Sequence, residues 1–301
     1  MINYQSTIVM KVELNEEDIE DVKRLETICH KKQRTDLKLE LDFKRNQKDN
    51  SIKNKIMVEF LYYENDILVG YLGLCDFGGN TVEISGMVHP IFRRKGIFKK
   101  LYLIAKEEWQ KISPPEVLVL CDHTSRSGLV FINSIGAEYS SSEYKMWLNK
   151  NVIEIEHDYL VKLRLAISED AVEIDRQTSV YFGEPQKKSY DEEVKPDIEK
   201  TLIQQNDNFI SYMAELHQKI IGKIHISIID NEGFIYGFGV LPNCRGKGYG
   251  REILMSTLDV LKKKGVDNIF LEVATENKNA LGLYESCGFQ QVSVMDYYLV
   301  Y

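Results

Sequence analysis

The chain has 301 residues, of which 44% are hydrophobic and 28% are charged, a globular composition long enough for one large domain or two of ordinary size. Its net charge of −8 argues against a nucleic-acid-binding protein, which needs a basic surface. The opening residues carry acids where a signal peptide has an apolar core, and the apolar runs are too short to span a bilayer, so we expect a cytoplasmic protein with no membrane partner.

The predicted elements form the same series twice along the chain. Each series has a strand, a helix, a charged irregular stretch, strand-like runs, a glycine turn and a helix. The first opens with a strand at Ile8–Leu14. In the second half we predict strands at Leu160–Ile167, Phe209–Leu216, Ile220–Ile229 and Phe234–Val240, a helix at Arg251–Lys264, a strand at Asn268–Ala274, a helix at Lys278–Ser286 and a closing hairpin to Tyr301.

The two halves are related by an internal repeat with a constant offset of 152 residues. Glycine, proline and arginine stay in register at that offset although the residues between them differ. The matching pairs are Val88 and Val240, Pro90 and Pro242, Arg93 and Arg245, Gly96 and Gly248, and Gly136 and Gly288. Because such residues set backbone geometry, we predict an α/β (α+β) protein of two tandem copies, residues 1–150 and 151–301, each a mixed β-sheet flanked by helices.

The five cysteines are odd in number and widely spaced. This arrangement suggests neither a disulfide framework nor a zinc site, so no metal is expected. We interpret the cysteines as small buried side chains of a protein in a reducing compartment.

The stretch VLPNCRGKGYGREIL, residues 240–254, places three glycines and two cations between a strand and a helix. Unpaired N–H groups at a helix start, glycines that let a ligand approach, and nearby charge suit a phosphate or diphosphate. A Walker A loop ends in Gly-Lys-Ser or Gly-Lys-Thr, whereas Gly248 is followed here by Tyr249 and Gly250, so this loop does not fit. A dinucleotide fold has its glycines in the first strand–helix unit, which is not the case here. A purely structural turn is the remaining alternative.

The whole motif V-x-P-x-x-R-G-x-G-x-G, followed by a helix, LEV and N-x-x-A-x-x-L-Y-x-x-x-G-F, resembles the GNAT superfamily of acetyl-CoA-dependent N-acetyltransferases. The tandem arrangement is similar to that of mycothiol synthase and other two-domain members. The residues that carry the resemblance are Val240, Pro242, Arg245, Gly246, Gly248, Gly250, Glu272, Asn277, Ala280, Leu283, Tyr284, Gly288 and Phe289.

The resemblance implies acetyl-CoA as cosubstrate. Its diphosphate is expected on the turn amides, and its pantetheine arm beside the strand before the turn, which splays from its neighbour. Gly237 and Gly239 suit the bulge that such a splay requires. The cofactor-binding residues that it implies are Phe238, Gly239, Val240, Arg245, Gly246, Lys247, Gly248, Tyr249, Gly250, Arg251 and Asn277.

The resemblance also implies direct attack of an amine on the thioester, with Tyr284 as general acid and Glu272 as candidate general base. A core aromatic is the alternative for Tyr284, and a structural glutamate is the alternative for Glu272. Glu232 is a second candidate base. Cys244 and Cys287 are interpreted as buried packing residues and not as nucleophiles, since neither has a histidine at a spacing that would activate the thiol.

The first copy departs from this motif at every catalytic position. The offset places Ile132 at Tyr284, Leu120 at Glu272, Ser125 at Asn277 and Phe98 at Gly250. The Phe98 ring is expected to obstruct the phosphate-binding turn of this copy. We interpret this copy as a scaffold; the alternative is a copy that holds CoA without turnover. His89 and His123 lie near its loops and are alternative bases there.

The sequence therefore predicts an N-acetyltransferase that acetylates a primary amine of a small molecule or peptide, acting as a monomer or homodimer with no nucleic-acid partner. A non-catalytic acyl-CoA-binding sensor or scaffold is the alternative, and binding of another phosphorylated cofactor is a third possibility. Acceptor specificity is expected in the irregular segments, chiefly Tyr181–Ile198 and also Tyr62–Asp66. The acids of the first segment can attract a cationic amine, and a solvated loop is the alternative.

Overall fold

The computed structural model of the chain describes residues 6–46, 57–76, 81–149, 158–183, 208–229 and 231–301. The chain divides into two compact units. The first comprises Met1–Glu143 with Ser293–Tyr301, and the second comprises Tyr144–Val292. Both are mixtures of strands and helices, so the predicted α/β class is confirmed.

The first unit is a sheet with helices packed on it. Its strands occur in the order β1-β2-β3-β4-β5-β12, and β4 and β5 are parallel while the other registered pairs are antiparallel. The strands are β1 (Ser6–Lys11), β2 (Met57–Glu64), β3 (Ile67–Asp76), β4 (Thr81–Val88), β5 (Glu116–Asp122), the first part of β6 (Glu138–Leu148) and the last part of β12 (Phe289–Leu299). The helices are α1 (Glu16–Gln33), α2 (Leu41–Asn46), α3 (Ile97–Ile112) and α4 (Arg126–Ser134).

The C-terminal residues of the chain lie in the first unit, whereas the repeat placed them at the end of the second copy. Met295–Leu299 pairs antiparallel with Leu118–Asp122. Val300 is buried in the core of the first unit, and Lys106 Nζ donates a hydrogen bond to the carbonyl oxygen of Tyr301 at 2.7 Å. Strand pairing and apolar burial together therefore set this division.

The second unit repeats the same architecture. Its strands occur in the order β6-β11-β10-β9-β8-β7, with β10 and β11 parallel. The strands are β7 (Lys162–Leu165), β8 (Phe209–Leu216), β9 (Lys219–Ile229), β10 (Glu232–Val240) and β11 (Asn268–Ala274). The helices are α5 (Ala171–Phe182), α6 (Tyr249–Lys263) and α7 (Lys278–Ser286).

Helix α6 joins the glycine turn to the core of the second unit. The predicted apolar stripe of Ile253, Leu254, Leu258 and Leu261 is fully buried, as the helical period requires. The helix ends before Gly265, which has the left-handed φ of 78° expected of a residue after a helix end. The predicted bounds of β8, β11 and α7 match those observed, and the other predicted strands and the predicted α6 agree to within a few residues. The predicted closing hairpin is wrong, because the last element is the single strand β12 (Phe289–Leu299).

Candidate active site

The turn between β10 and α6 has a backbone that only glycine adopts easily. Gly246 and Gly248 have φ of 73° and 87°, and a Cβ placed on either would meet no atom within 4 Å. Arg245 fixes the base of the turn, because its Nε donates a hydrogen bond to the carbonyl oxygen of Val240 at 2.8 Å.

The amides at the start of α6 have no acceptor within the described protein. Gly248 is the N-cap and makes no side-chain capping bond. Within the described ranges, the first backbone N–H groups after Arg245 that donate to other backbone groups are those of Arg251 and Glu252, both to the carbonyl oxygen of Gly248. The N–H groups from 246 to 250 are therefore available to an anion, with the helix dipole adding partial positive charge.

Strand β10 separates from β11 just before this turn. Their parallel pairing ends at Ile235 and Leu271, although β10 continues to Val240. The register of β10 with β9 shifts between Tyr236 and Gly239, and Gly237 has φ of 55°. The predicted splay and bulge are thus both present, and they leave one edge of Phe238–Val240 without a strand neighbour on the β11 side.

Helix α5 contacts this strand through Tyr181. A Cβ placed on Gly239 would lie 2.2 Å from the Tyr181 ring, so only glycine fits beneath that ring. The Tyr181 hydroxyl donates to Gln177 Oε1 at 2.7 Å, and the Arg245 guanidinium lies 5.8 Å from the ring centroid. Tyr181 therefore connects the bulged strand to the base of the turn.

Tyr284 on α7 lies beside the splayed strand. Its ring centroid is 6.4 Å from that of Phe238 and 6.1 Å from that of Phe289, and its side chain belongs to the buried core. Burial raises the pKa of its hydroxyl to about 12, so the group keeps its proton at neutral pH. Within the described residues the hydroxyl has no protein hydrogen-bond partner, which suits a group that donates to a ligand.

Glu272 is the first residue of β11 beyond the last pair with β10. Its side chain is half-buried, and it lies where the two strands begin to separate. Glu232 is at the opposite end of β10, paired with Asn268. At about 3.3 Å per residue it lies roughly 20 Å from the splayed segment, so the structure disfavours Glu232 as a base.

The remaining predicted residues lie around α7 and the turn. Asn277 is the N-cap of α7, and its Oδ1 accepts a hydrogen bond from the Ala280 amide at 3.2 Å, so capping is its observed contact. Cys287 is buried, and burial raises the pKa of its thiol, which disfavours a nucleophilic role. Cys244 is half-buried against the same core. Beyond residue 183 the predicted specificity segment, with Glu184, Asp191, Glu192 and Glu193, lies outside the described residues.

A buried polar cluster behind the bulge was not anticipated from the sequence. Its members are Ser211, Lys223 and His225. The Lys223 ammonium can only donate, so it donates to His225 Nε2 at 2.9 Å, and Nδ1–H then donates to Ser211 Oγ at 2.8 Å. Burial, and then the Lys223 charge, lowers the pKa of His225 well below 6.5. The imidazole is therefore neutral, with both nitrogens engaged.

This cluster supports the bulge. A Cβ placed on Gly237 would lie 2.3 Å from His225 Cδ2, so the imidazole fills the space that the glycine leaves open. The alternation in KIHIS, residues 223–227, placed polar side chains on one face of β9. That alternation was the available sequence signal, but it did not identify the bulge as the partner.

The comparisons with known proteins agree with this geometry. Residues 173–289 match the Acetyltransferase (GNAT) family. Over 97 residues the chain is 29% identical to the ribosomal protein bS18-alanine N-acetyltransferase of Escherichia coli, covering 32% of this chain and 66% of that relative. Over 62 residues it is 47% identical to the mycothiol acetyltransferase of Beutenbergia cavernae, covering 21% of each. A solved tandem GNAT protein from the clavulanic acid biosynthesis pathway has a TM-score of 0.73 at 15% identity, covering 98% of both chains.

These matches define a GNAT-type acyltransferase fold with two copies in one chain. Residues 173–289, which lie in the second unit, match the GNAT family, and the fold of the whole chain is similar to that of a solved tandem GNAT protein. The predicted resemblance is confirmed over residues 173–289, and the predicted tandem fold is confirmed over the whole chain. The matched region spans less than two thirds of the alanine acetyltransferase and about a fifth of the mycothiol enzyme. Within the described residues, no helix is both long and apolar enough to cross a membrane.

Proposed function

We propose that the second unit transfers the acetyl group of acetyl-CoA to a primary amine of a small molecule or peptide by direct attack. One observation carries the proposal. The turn with free amides, the bulged and splayed strand β10, and the protonated Tyr284 hydroxyl occur together at one end of the same sheet. The names of two relatives, a ribosomal-protein alanine N-acetyltransferase and a mycothiol acetyltransferase, support a peptide or small-molecule amine as acceptor.

The residues of the turn fit acetyl-CoA, which supplies an activated acetyl thioester when bound. The amides from 246 to 250 would hold its diphosphate, and the exposed Lys247 and Arg251 would add charge. The free edge of Phe238–Val240 would pair with the amide-bearing arm as an added strand does. The open space above Gly246 and Gly248 is the specific feature that favours this fit.

Glu272 is the proposed base for the acceptor. An amine with a pKa near 10 must lose a proton before attack, which at pH 7 costs about 4 kcal/mol. A carboxylate at the point where β10 and β11 separate can accept that proton, directly or through water. The half-buried position of Glu272 leaves it accessible to such a water.

Tyr284 is the proposed general acid. Its raised pKa of about 12 keeps the hydroxyl protonated, so it can donate a hydrogen bond, and then the proton, to the departing thiolate sulfur. The direct mechanism needs no cysteine intermediate. We place the reaction in the cytoplasm, which the five free cysteine thiols support.

The test is thiol release from acetyl-CoA with a panel of primary amines, together with CoA affinity by calorimetry. Lys247→Glu places an acid beside the turn and is expected to weaken CoA binding at least tenfold. Lys263→Glu, at the other end of the same helix, is the matched control and is expected to change it less than twofold.

Two results would contradict the proposal. CoA binding without amine-dependent thiol release from any acceptor would favour the sensor alternative. Heat stabilisation by ATP or NAD but not by CoA would indicate a different phosphorylated cofactor.

A further inference from the structure

A cavity of about 450 Å³ lies inside the first unit. It opens between β4 and β5, whose parallel pairing ends at Ile84 and Val119, and residues 85–88 and 119–122 form two of its walls. This volume lies within the range of small-ligand sites. The cavity therefore occupies the position in the first unit that corresponds to the splay in the second.

The turn at the mouth of this cavity has the same geometry as its counterpart in the second unit. Arg93 Nε donates to the carbonyl oxygen of Val88 at 2.8 Å. Gly96 is the N-cap of α3 with φ of 79°, and no side chain caps the helix. Arg93, Arg94 and Lys99 line the cavity. One end of the cavity is therefore suited to an anionic group.

Phe98 does not obstruct this turn, contrary to the expectation from sequence. A Cβ placed on Gly86 would lie 2.9 Å from Phe98 Cε2, so the ring lies over strand β4, and it packs edge-to-face on Phe131 at 4.7 Å. The second unit has the reverse arrangement, because Gly250 and Phe238 occupy the positions of Phe98 and Gly86. Exchanging glycine and phenylalanine fills the same space and leaves Gly96 open, with no atom within 4 Å of a Cβ placed there.

The cavity lining includes a group of apolar side chains, called the apolar end, at the positions that carry the proposed base and acid in the second unit, and the polar residues Lys38, Ser85 and Asp122 also line the cavity. Leu120 and Ile132 line it in place of the carboxylate and the phenol, and Leu37, Met87 and Met295 also contribute. Strand β4 keeps an unbroken register with β3 from Gly70–Val88 to Asp76–Val82, so it lacks the bulge. This end offers neither the proposed base nor the proposed acid, but a wall against which an alkyl chain can be buried.

We propose that the first unit binds an acyl-CoA thioester whose acyl chain is longer than acetyl, and does not transfer it. The cationic turn holds the diphosphate, and the apolar end holds the chain. Each CH2 group that is buried raises affinity about fourfold, so a hexanoyl chain is favoured over acetyl. The inference extends the proposed use of acetyl-CoA in the second unit to a second ligand in the first.

Calorimetric titration with acetyl-CoA and hexanoyl-CoA, without an amine, tests this proposal in the full chain. The matched variants are Lys95→Glu and Lys247→Glu, which occupy the same exposed position in the two turns. We expect Lys95→Glu to weaken the tight hexanoyl-CoA site at least tenfold and to leave the acetyl-CoA site of the second unit intact. We expect Lys247→Glu to weaken the acetyl-CoA site of the second unit and to leave the hexanoyl-CoA site of the first unit intact. In the Lys247→Glu protein, hexanoyl-CoA should bind at least tenfold tighter than acetyl-CoA.

The apolar end is tested separately by Leu120→Ser. This variant should lower the ratio of hexanoyl-CoA to acetyl-CoA affinity in the first unit at least threefold, while the affinity for CoA itself is unchanged. Hexanoyl-CoA binding that is insensitive to Lys95→Glu, or equal affinity for both thioesters in the Lys247→Glu protein, would overturn the inference. If acetyl-CoA did not bind to the second unit while hexanoyl-CoA still bound to the first, only the proposed function would be refuted.

Discussion

Replacing Tyr284 by phenylalanine removes one oxygen atom and changes little else in the protein. The ring keeps its contacts with Phe238 and Phe289, and no protein hydrogen bond of the hydroxyl is lost among the described residues. The change therefore leaves neither a cavity nor an unpaired polar group. We expect the free energy of unfolding to change by less than about 0.5 kcal/mol.

The effect on turnover is expected to be larger. A hydrogen bond to a charged group is worth about 1.5–3 kcal/mol, and losing it from the transition state slows the reaction about tenfold to 100-fold. Because the proposed contact is with the thiolate that forms during reaction, kcat should fall while CoA affinity is retained. Since the pKa of Tyr284 is about 12, the wild-type rate should show no loss from ionisation of this group up to about pH 11.

The assay is thiol release at saturating acetyl-CoA, with CoA affinity measured by calorimetry on the same samples. Tyr212→Phe is the matched control, because Tyr212 is equally buried in the second unit but lies on β8, which β9 separates from β10. Its turnover should stay within twofold of the wild type. A Tyr284→Phe enzyme with wild-type kcat would refute the role of acid, and the residue would then be an ordinary core aromatic.

Three further predictions follow from the bulge and the splay. Glu272→Gln should lower kcat/KM at pH 7 at least tenfold and recover toward pH 10, where the amine loses its proton unaided; a pH-independent defect in the pH–rate profile would argue for a structural glutamate. Because the folded pKa of His225 lies well below 6.5, the unfolded chain gains a proton that the folded one does not as pH falls below about 6.5, so stability should fall by up to about 1.4 kcal/mol per pH unit. Urea unfolding at pH 7 and 5.5 should show this slope in the wild type and a smaller one in His225→Gln; equal slopes would contradict it. Gly237→Ala, whose Cβ would lie 2.3 Å from His225, should destabilise by about 2 kcal/mol or more, against about 1 kcal/mol for Gly246→Ala, which meets no atom within 4 Å; similar losses in thermal unfolding would contradict the described packing.

Local sequence was sufficient to predict most of the secondary structure and the glycine turn before α6. The alternation in β8 and β11, the apolar stripe of α6 and the glycines with positive φ are properties of neighbouring residues, so they can be recognised before any fold is known. The repeat offset could also be recognised from the sequence, because residues that set backbone conformation stay in register when other side chains diverge. The splay was implied by the family resemblance, and Gly237 and Gly239 suited the bulge that it requires.

Contacts between residues that are distant in sequence could not be predicted from local sequence. The sequence showed Phe98 in the place of a glycine, but only packing revealed that its ring lies over Gly86 and leaves the turn open. The partners of His225 lie on a neighbouring strand and at a nearby position of its own strand, and their common role behind Gly237 depends on the register of the sheet.

The placement of the C-terminal strand also distinguishes features set by local sequence from features that depend on tertiary contacts. Local periodicity predicted a closing hairpin where the structure has the single strand β12, and the repeat assigned this part of the chain to the second copy. Strand pairing instead placed Ser293–Tyr301 in the first unit. The physical reason is that periodicity records which faces of an element are apolar, whereas the choice of partner depends on which edge and which core complete the burial.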